Sequence, residues 1–320
     1  MQTLEIKLYE EHLQFVEEFK RSINTFKSQP LKIIINSEGT DLENILIEKQ
    51  NFIDWLNNFC NDHGISKDNI TIETGNLIQS KEKWTNIEIK NNLLPFLSYQ
   101  NFKCEEKQIE KMFSCFVGSD RWFKFILSNW VWKHYREECF QTYWYDGRFG
   151  FKKKVYEYLT LDEINEFKRQ LPLYINTKEK IKKHTKGYID WQDTYPLLEF
   201  YKKIIVDIVY ETGHLGNMFS PDEKIGRPLA TQSAFIVYGP KHFLKNLKRI
   251  GFKTFDSVWN ELYDEFEGIE RIEEIKKLIT TLSKRDKSVL SAEIKSIVEH
   301  NKILYDQLTA NTVGSLLARY

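Results

Sequence analysis

The sequence predicts an α/β protein built as two doubly wound halves followed by a helical extension. Three observations carry that expectation. Short apolar runs rich in β-branched residues suit the buried strands of a parallel sheet, stretches with near-helical apolar spacing follow them, and the same strand-then-helix pattern restarts near residue 111 after a polar interval. A chain of 320 residues, 41% of them hydrophobic, has the length and apolar content for one large or two ordinary domains.

Leu31–Ile35, after the turn residue Pro30, reads as the first buried strand, and Asn36, Ser37, Glu38 and Gly39 leave it. Leu42–Phe59 carries Ile45, Ile47, Phe52, Ile53, Leu56 and Phe59 near helical spacing, with His63-Gly64 as its C-cap signal. A second strand over Ile70–Glu73 completes a β-α-β unit whose crossover favours parallel pairing. The polar region Ser80–Asn92 and the charged run Cys104–Lys111 offer no continuous apolar face, which places a boundary near Lys111. Met112–Val117 then reads as a strand, Gly118-Ser119-Asp120 as a turn and cap, and Trp122–Tyr135 as a helix. Lys203–Tyr210 and Ala234–Tyr238 are the strongest buried-strand patterns. The second leads through Gly239-Pro240 into a helix that stops before Gly251. Leu290, Ile294, Ile297, Leu304 and Leu308 mark one face of a terminal helix. The expected organisation is an N-terminal domain over residues 1–110, a second domain over 111–283 and helices over 284–320.

Composition removes several functions. Lys plus Arg and Asp plus Glu both number 46, so bulk attraction to nucleic acid or anionic lipid is not the holding force, because counterion release needs a concentrated cationic excess. No apolar stretch approaches a membrane span of ~18 residues. Glu5, Glu10, Glu11, Glu17 and Glu18 make the first twenty residues unlike a secretory signal, so the expected location is the cytoplasm. Cys60, Cys104, Cys115 and Cys139 form no C-x-x-C pair and read as isolated thiols. His134, His184, His214, His242 and His300 show no zinc-ligand spacing, and D-x-D, P-loop and G-x-S-x-G motifs are missing from the sequence. No metal is expected.

The sharpest segment is Phe219-Ser-Pro-Asp-Glu-Lys-Ile-Gly-Arg-Pro-Leu229, between two expected buried strands. At a helix start, backbone N–H groups, Lys224 and Arg227 can jointly hold a diphosphate, while Glu223 accepts hydrogen bonds from ribose hydroxyls. From spacing alone the segment also reads as a capped surface helix, with Ser220-Pro221 as N-cap and N1 and Glu223 capping back. The Lys-rich stretch Lys178–Lys186 reads as a solvated face, and the aromatics of Trp122–Trp144 as packing.

The run Ile208–Asp264 resembles a family of glycosyltransferases found in phages and bacteria, marked by a V-x-E-T strand end, an F-x-T-E-K-x-x-x-P element, a P-F-I-x-x-G strand and a G-F-K-T-F segment followed by E-S-Y-D. Its E-K element is similar to the donor-binding motif of α-1,3-fucosyltransferases, in which Glu contacts the ribose and Lys the phosphates. By position Glu223 and Lys224 match that pair, and Glu211, Pro228, Gly239, Tyr263 and Asp264 match other recurrent positions. Ser220-Pro221-Asp222 replaces the single Thr before Glu-Lys, and Leu262 the Ser of E-S-Y-D. Met112–Lys124 resembles the family's strand, polar loop and helix bearing an Arg that neutralises the leaving diphosphate. Here Lys124 falls at the closest position with Arg121 one helical turn earlier, and either cation can serve. Lys32–Gly39 and Ile70–Leu77 resemble the strand ends of the acceptor-side domain.

The resemblance implies two Rossmann-like domains facing across a cleft, the GT-B arrangement. It implies metal-independent transfer of a hexosyl or deoxyhexosyl group from a nucleoside-diphosphate sugar, the co-substrate, to a glycan or other hydroxyl acceptor, with inversion. Glu211 and Arg227 join the donor-binding set. Such chemistry needs a group to take the acceptor proton; Glu38, at a strand end beside Gly39, is the candidate base, and Asp41 the second candidate. Glu38-Gly39 also reads as a plain turn. Two other functions fit the same residues: a phage-type transferase acting on modified DNA bases, and a non-catalytic glycan- or protein-binding module that keeps the fold.

Overall fold

The computed structural model describes residues 2–7, 17, 20–21, 31–36, 42, 46–77, 87–91, 93–144, 152–173, 195–213, 216, 218–309 and 313, and among these described residues ten short strands and nine α-helices are delimited. The chain divides into two compact units, one comprising Met1–Leu94, Gly213–Asp222 and Thr309–Tyr320, the other Pro95–Thr212 and Glu223–Leu308.

In the first unit, strands β1 (Gln2–Lys7), β2 (Leu31–Asn36), β5 (Ile70–Thr74) and β6 (Glu88–Asn91) form a wholly parallel sheet in that spatial order. Between β2 and β5 the chain makes a hairpin, β3 (Leu46–Ile47) and β4 (Gln50–Asn51), and then helix α1 (Phe52–His63). The helix is shorter than the apolar spacing from Leu42 predicts, for a local reason. Glu48 and Lys49 take positive φ, the geometry of a two-residue hairpin turn, and the Asn51 side chain accepts from Asp54 N as an N-cap. Gly64 ends α1 at φ 63° with its N–H on Asn61 O and Cys60 O, as the sequence predicts. Phe52, Trp55, Leu56, Phe59 and Cys60 bury one face of α1 in a core with Ile35, Ile70, Ile72 and Ile87. The returning segment is fastened to this unit by Phe219, whose N–H donates to Asn76 Oδ1 at 2.9 Å and whose carbonyl accepts from Leu77 N at 2.7 Å.

The second unit has strands β7 (Lys111–Val117), β8 (Cys139–Tyr143), β9 (Ile204–Tyr210) and β10 (Ala234–Tyr238), all parallel, in the spatial order β10-β9-β7-β8. Helices α2 (Trp122–Tyr135), α3 (Lys152–Tyr156), α4 (Leu161–Lys168), α5 (Tyr195–Tyr201), α6 (Glu223–Ala230), α7 (Phe243–Arg249), α8 (Gly268–Leu282) and α9 (Lys287–Gln307) surround it. β9 and β10 are buried at every position, as near-continuous apolar runs require. Side chains alternate between the two faces: Cys115 and Tyr210 meet Ser128 of α2, whereas Ser114 and Asp207 meet Tyr201 of α5. Helices therefore cover both faces. The protein is α/β with parallel sheets, compatible with a Rossmann-like fold.

Several helix ends differ from expectation. α7 begins at Phe243, three residues after Pro240, because its first free N–H groups, Leu244 N and Lys245 N, are capped from a distance by Asp264 Oδ2 at 3.0 and 3.3 Å. The turn Gly118–Asp120 supplies no side-chain cap to α2; the N-cap is Arg121, which makes none either. The terminal helix does bury Leu290, Ile294, Ile297 and Leu308, and Asp286 caps its start through Ser288 N and Val289 N.

Candidate functional site

The order of the second sheet locates its site. From β7 the chain steps through α2 to β8 on one side, then crosses back so that β9 lies on the other side and β10 beyond it. The order reverses between β7 and β9, and in open parallel sheets ligands bind outside the carboxyl ends of the strands where this reversal opens a crevice. Among the described strands of the first sheet, the order β1-β2-β5-β6 runs in one direction without such a reversal.

The loops that leave β7 and β9 each carry a hydroxyl on which a helical lysine is seated. After β7, Lys124 sits in the first turn of α2 at 2% exposure, and its Nζ donates to Ser119 Oγ at 2.8 Å. The next residue of that loop, Asp120, accepts from the Tyr143 hydroxyl at the end of β8, and burial, with the Asp120 charge second, raises the Tyr143 pKa well above its usual value. Arg121 is the N-cap of α2 in extended conformation, its carbonyl accepting from Phe125 N at 2.9 Å. After β9, Glu211 is fully buried with its N–H on Tyr238 O at 2.9 Å. Thr212 follows, and its Oγ1 accepts from Lys224 Nζ at 3.0 Å. Lys224 also pairs with Glu223 Oε1 at 2.7 Å, and the two side chains keep 19% and 21% exposure. The helix they open starts at Glu223, so Ser220 and Pro221 lie before it and are not its N-cap and N1.

Arg227 lies deeper. It is 5% exposed, its Nε meets no hydrogen-bond partner, and the charges and hydroxyls around it are those of Tyr201, Tyr99, Asp207 and Glu223. Asp207 sits three residues before the end of β9 and accepts from Ser114 Oγ and Tyr201 OH, both at 2.6 Å. Arg227 thus faces the interior of the unit, while Lys224 faces its rim. Glu38 and Asp41 lie outside the described residues.

Other positions of the motif-bearing run serve the fold. Arg271 is fully buried and donates to Val237 O, Pro240 O, Phe266 O and Asp264 Oδ1, the last at 2.9 Å, which fixes the end of β10 and the turn at Gly239-Pro240. Asp264 divides its carboxylate between that arginine and the α7 cap, and the Tyr263 hydroxyl accepts from Val237 N. Sequence reasoning missed Ser119 and Thr212 as lysine seats, and Asp207, although a lone charge inside an apolar strand run is a legible signal. Among the described residues no group of three His, Cys, Asp or Glu side chains is placed to hold a metal ion, and no helix is long and apolar enough to cross a membrane. No family model matches the chain, and no curated protein matches it.

Proposed function

We propose that the protein is a glycosyltransferase moving a hexosyl or deoxyhexosyl group from a nucleoside-diphosphate sugar to a hydroxyl acceptor, with the diphosphate held at the β7/β9 reversal of the second unit. The observation that carries this reading is the pair of lysines, Lys124 and Lys224, each seated on a hydroxyl at the carboxyl ends of the two strands that flank the reversal. Cations fixed there favour the state in which the glycosidic bond has lengthened and negative charge has gathered on the departing diphosphate. Arg121 at the start of α2 adds a guanidinium able to grip phosphate with two donors. Glu223, within reach of Lys224, takes the ribose hydroxyls, and Glu211 closes the floor of the crevice from the end of β9.

The two α/β units are proposed as the two domains of a GT-B arrangement in the cytoplasm, the first supplying the acceptor side. There the Glu38 carboxylate, or Asp41 in its place, accepts the acceptor hydroxyl's proton as the oxygen attacks the anomeric carbon and the bond to the diphosphate breaks, inverting the configuration. Lysines and a helix terminus do the electrostatic work, and no metal is assigned.

The test is a thermal-shift screen against UDP-, GDP-, CMP- and dTDP-linked sugars and their nucleotides. One nucleoside diphosphate at a hundredfold excess over its Kd stabilises the fold by about 2.7 kcal/mol, a rise of roughly 5 °C or more. Hydrolysis of the matching donor then separates an enzyme from a binding module. If no nucleotide shifts the melting temperature, the reading fails.

A further inference from the structure

The rim residues Glu223 and Lys224 open α6, and α6 is a poor helix by its own sequence. Glu-Lys-Ile-Gly-Arg-Pro-Leu-Ala puts Gly226 and Pro228 inside eight residues, and these are the two residue types that weaken a helix most. Tertiary contacts must hold it. Gly226 passes so close to its neighbours that a Cβ there would lie 2.6 Å from Phe96 O and 2.9 Å from the Tyr305 hydroxyl.

The far end of α6 is tied by a half-buried lysine. Lys107 Nζ donates to Ser233 Oγ at 2.7 Å, Ser233 Oγ lies 3.3 Å from Thr231 Oγ1, and Thr231 Oγ1 donates to the Arg227 carbonyl at 2.7 Å. The same ammonium donates to Tyr201 O and Ile204 O, both at 3.2 Å, so one charge joins the end of α5, the start of β9 and the turn after α6. Arg227 is the second tie. Its side chain forms no hydrogen bond among the described residues, and a buried cation so placed depends on the field of nearby groups. Asp207, 1% exposed and held by two hydroxyls, is a carboxyl whose charge acts on Arg227; burial raises its pKa and the arginine's charge draws it back down.

We infer that Lys107 and Asp207, neither of which reaches the rim, are positioning residues for the Glu223–Lys224 pair: together they fix α6, and through it the lysine that meets the ligand's phosphates. The consequence for phosphate binding rests on the nucleotide reading given above, whereas the anchoring of α6 does not.

Full-length Asp207→Asn and Lys107→Met are compared with the wild type by hydrogen exchange read by mass spectrometry and by titration with UDP and GDP. The expected result is exchange about tenfold faster over Glu223–Ala230 with α2 unchanged, and nucleotide affinity about tenfold weaker. Adding Arg227→Met to Asp207→Asn removes the stranded cation and returns α6 exchange toward the wild-type rate. Wild-type exchange over α6 overturns the inference, and so does faster exchange spread evenly over α2 and β7, which makes both residues ordinary parts of the core. Should Asp207→Asn fail to fold, Ser233→Ala cuts the Lys107 chain and is read against the same two outcomes. A wild-type protein that binds none of the nucleotides of the thermal-shift screen overturns the rim reading and the positioning role with it, while the exchange data separately decide the anchoring of α6.

Discussion

Glu261 shows what burial does to a single carboxyl. Thr254 Oγ1 and Phe255 N both donate to it at 2.7 Å, Lys248 Nζ stands 3.8 Å away, and burial nevertheless pushes its pKa up to about 7 from 4.5. The folded state therefore binds more protons than the unfolded chain between these values. The contribution to stability is complete below about 4.5 and is lost as the pH rises through about 7. A pH series of melting temperatures should fall over that window in the wild type and flatten in Glu261→Gln. Lys107 has the opposite sense: burial lowers its pKa to about 8 from 10.5, so the folded state sheds its proton first and the lysine's contribution rises between pH 8 and 10.5. Lys107→Met should remove that rise. In Asp264→Ala the loss of the α7 cap and the stranding of Arg271 should together cost about 3–5 kcal/mol, measurable by urea denaturation. Asp207 was open to detection in the sequence, because it interrupts Ile204–Tyr210 with the run's one charge. Lys107 was not, since its burial is created by chain segments about a hundred residues away and it looks like any lysine of a charged run.

At the scale of elements, α6 carries the rim residues Glu223 and Lys224. Gly226→Ala forces a methyl group against the Phe96 carbonyl and should destabilise the protein by about 1–3 kcal/mol, with a fall in melting temperature and faster exchange over α6. Elements whose sequence carries its own reason were legible. β10 is an unbroken apolar run and β9 is one but for Asp207, α2 matches its expected span of Trp122–Tyr135, and Gly64 closes α1 where the C-cap pattern says. Elements that depend on partners were not. β8 (Cys-Phe-Gln-Thr-Tyr) mixes polar and apolar residues at the edge of the described sheet, and β1 carries both its charges, Glu5 and Lys7, on one face of its alternation. The hairpin over Leu46–Asn51 was hidden because its apolar residues happen to continue the spacing of α1. The start of α7 rests on an aspartate twenty residues downstream.

For the whole molecule, the two sheets differ in the property that matters for a ligand. The second reverses its strand order between β7 and β9 and the described strands of the first do not, which singles out one sheet edge in a chain whose formal charge sums to zero. The proposed phosphate-binding cations were legible as a Glu-Lys pair and a lysine after a strand; that β7 and β9, the strands before their hydroxyl partners, are neighbours is a matter of strand order, which no short motif contains. The measurement closest to this claim is the hydrogen-exchange footprint of the nucleoside diphosphate that gives the largest thermal shift. Protection over Gly118–Lys124 and over Glu223–Ala230, lost in Lys224→Ala, is the predicted result. A footprint that spares both segments would contradict it.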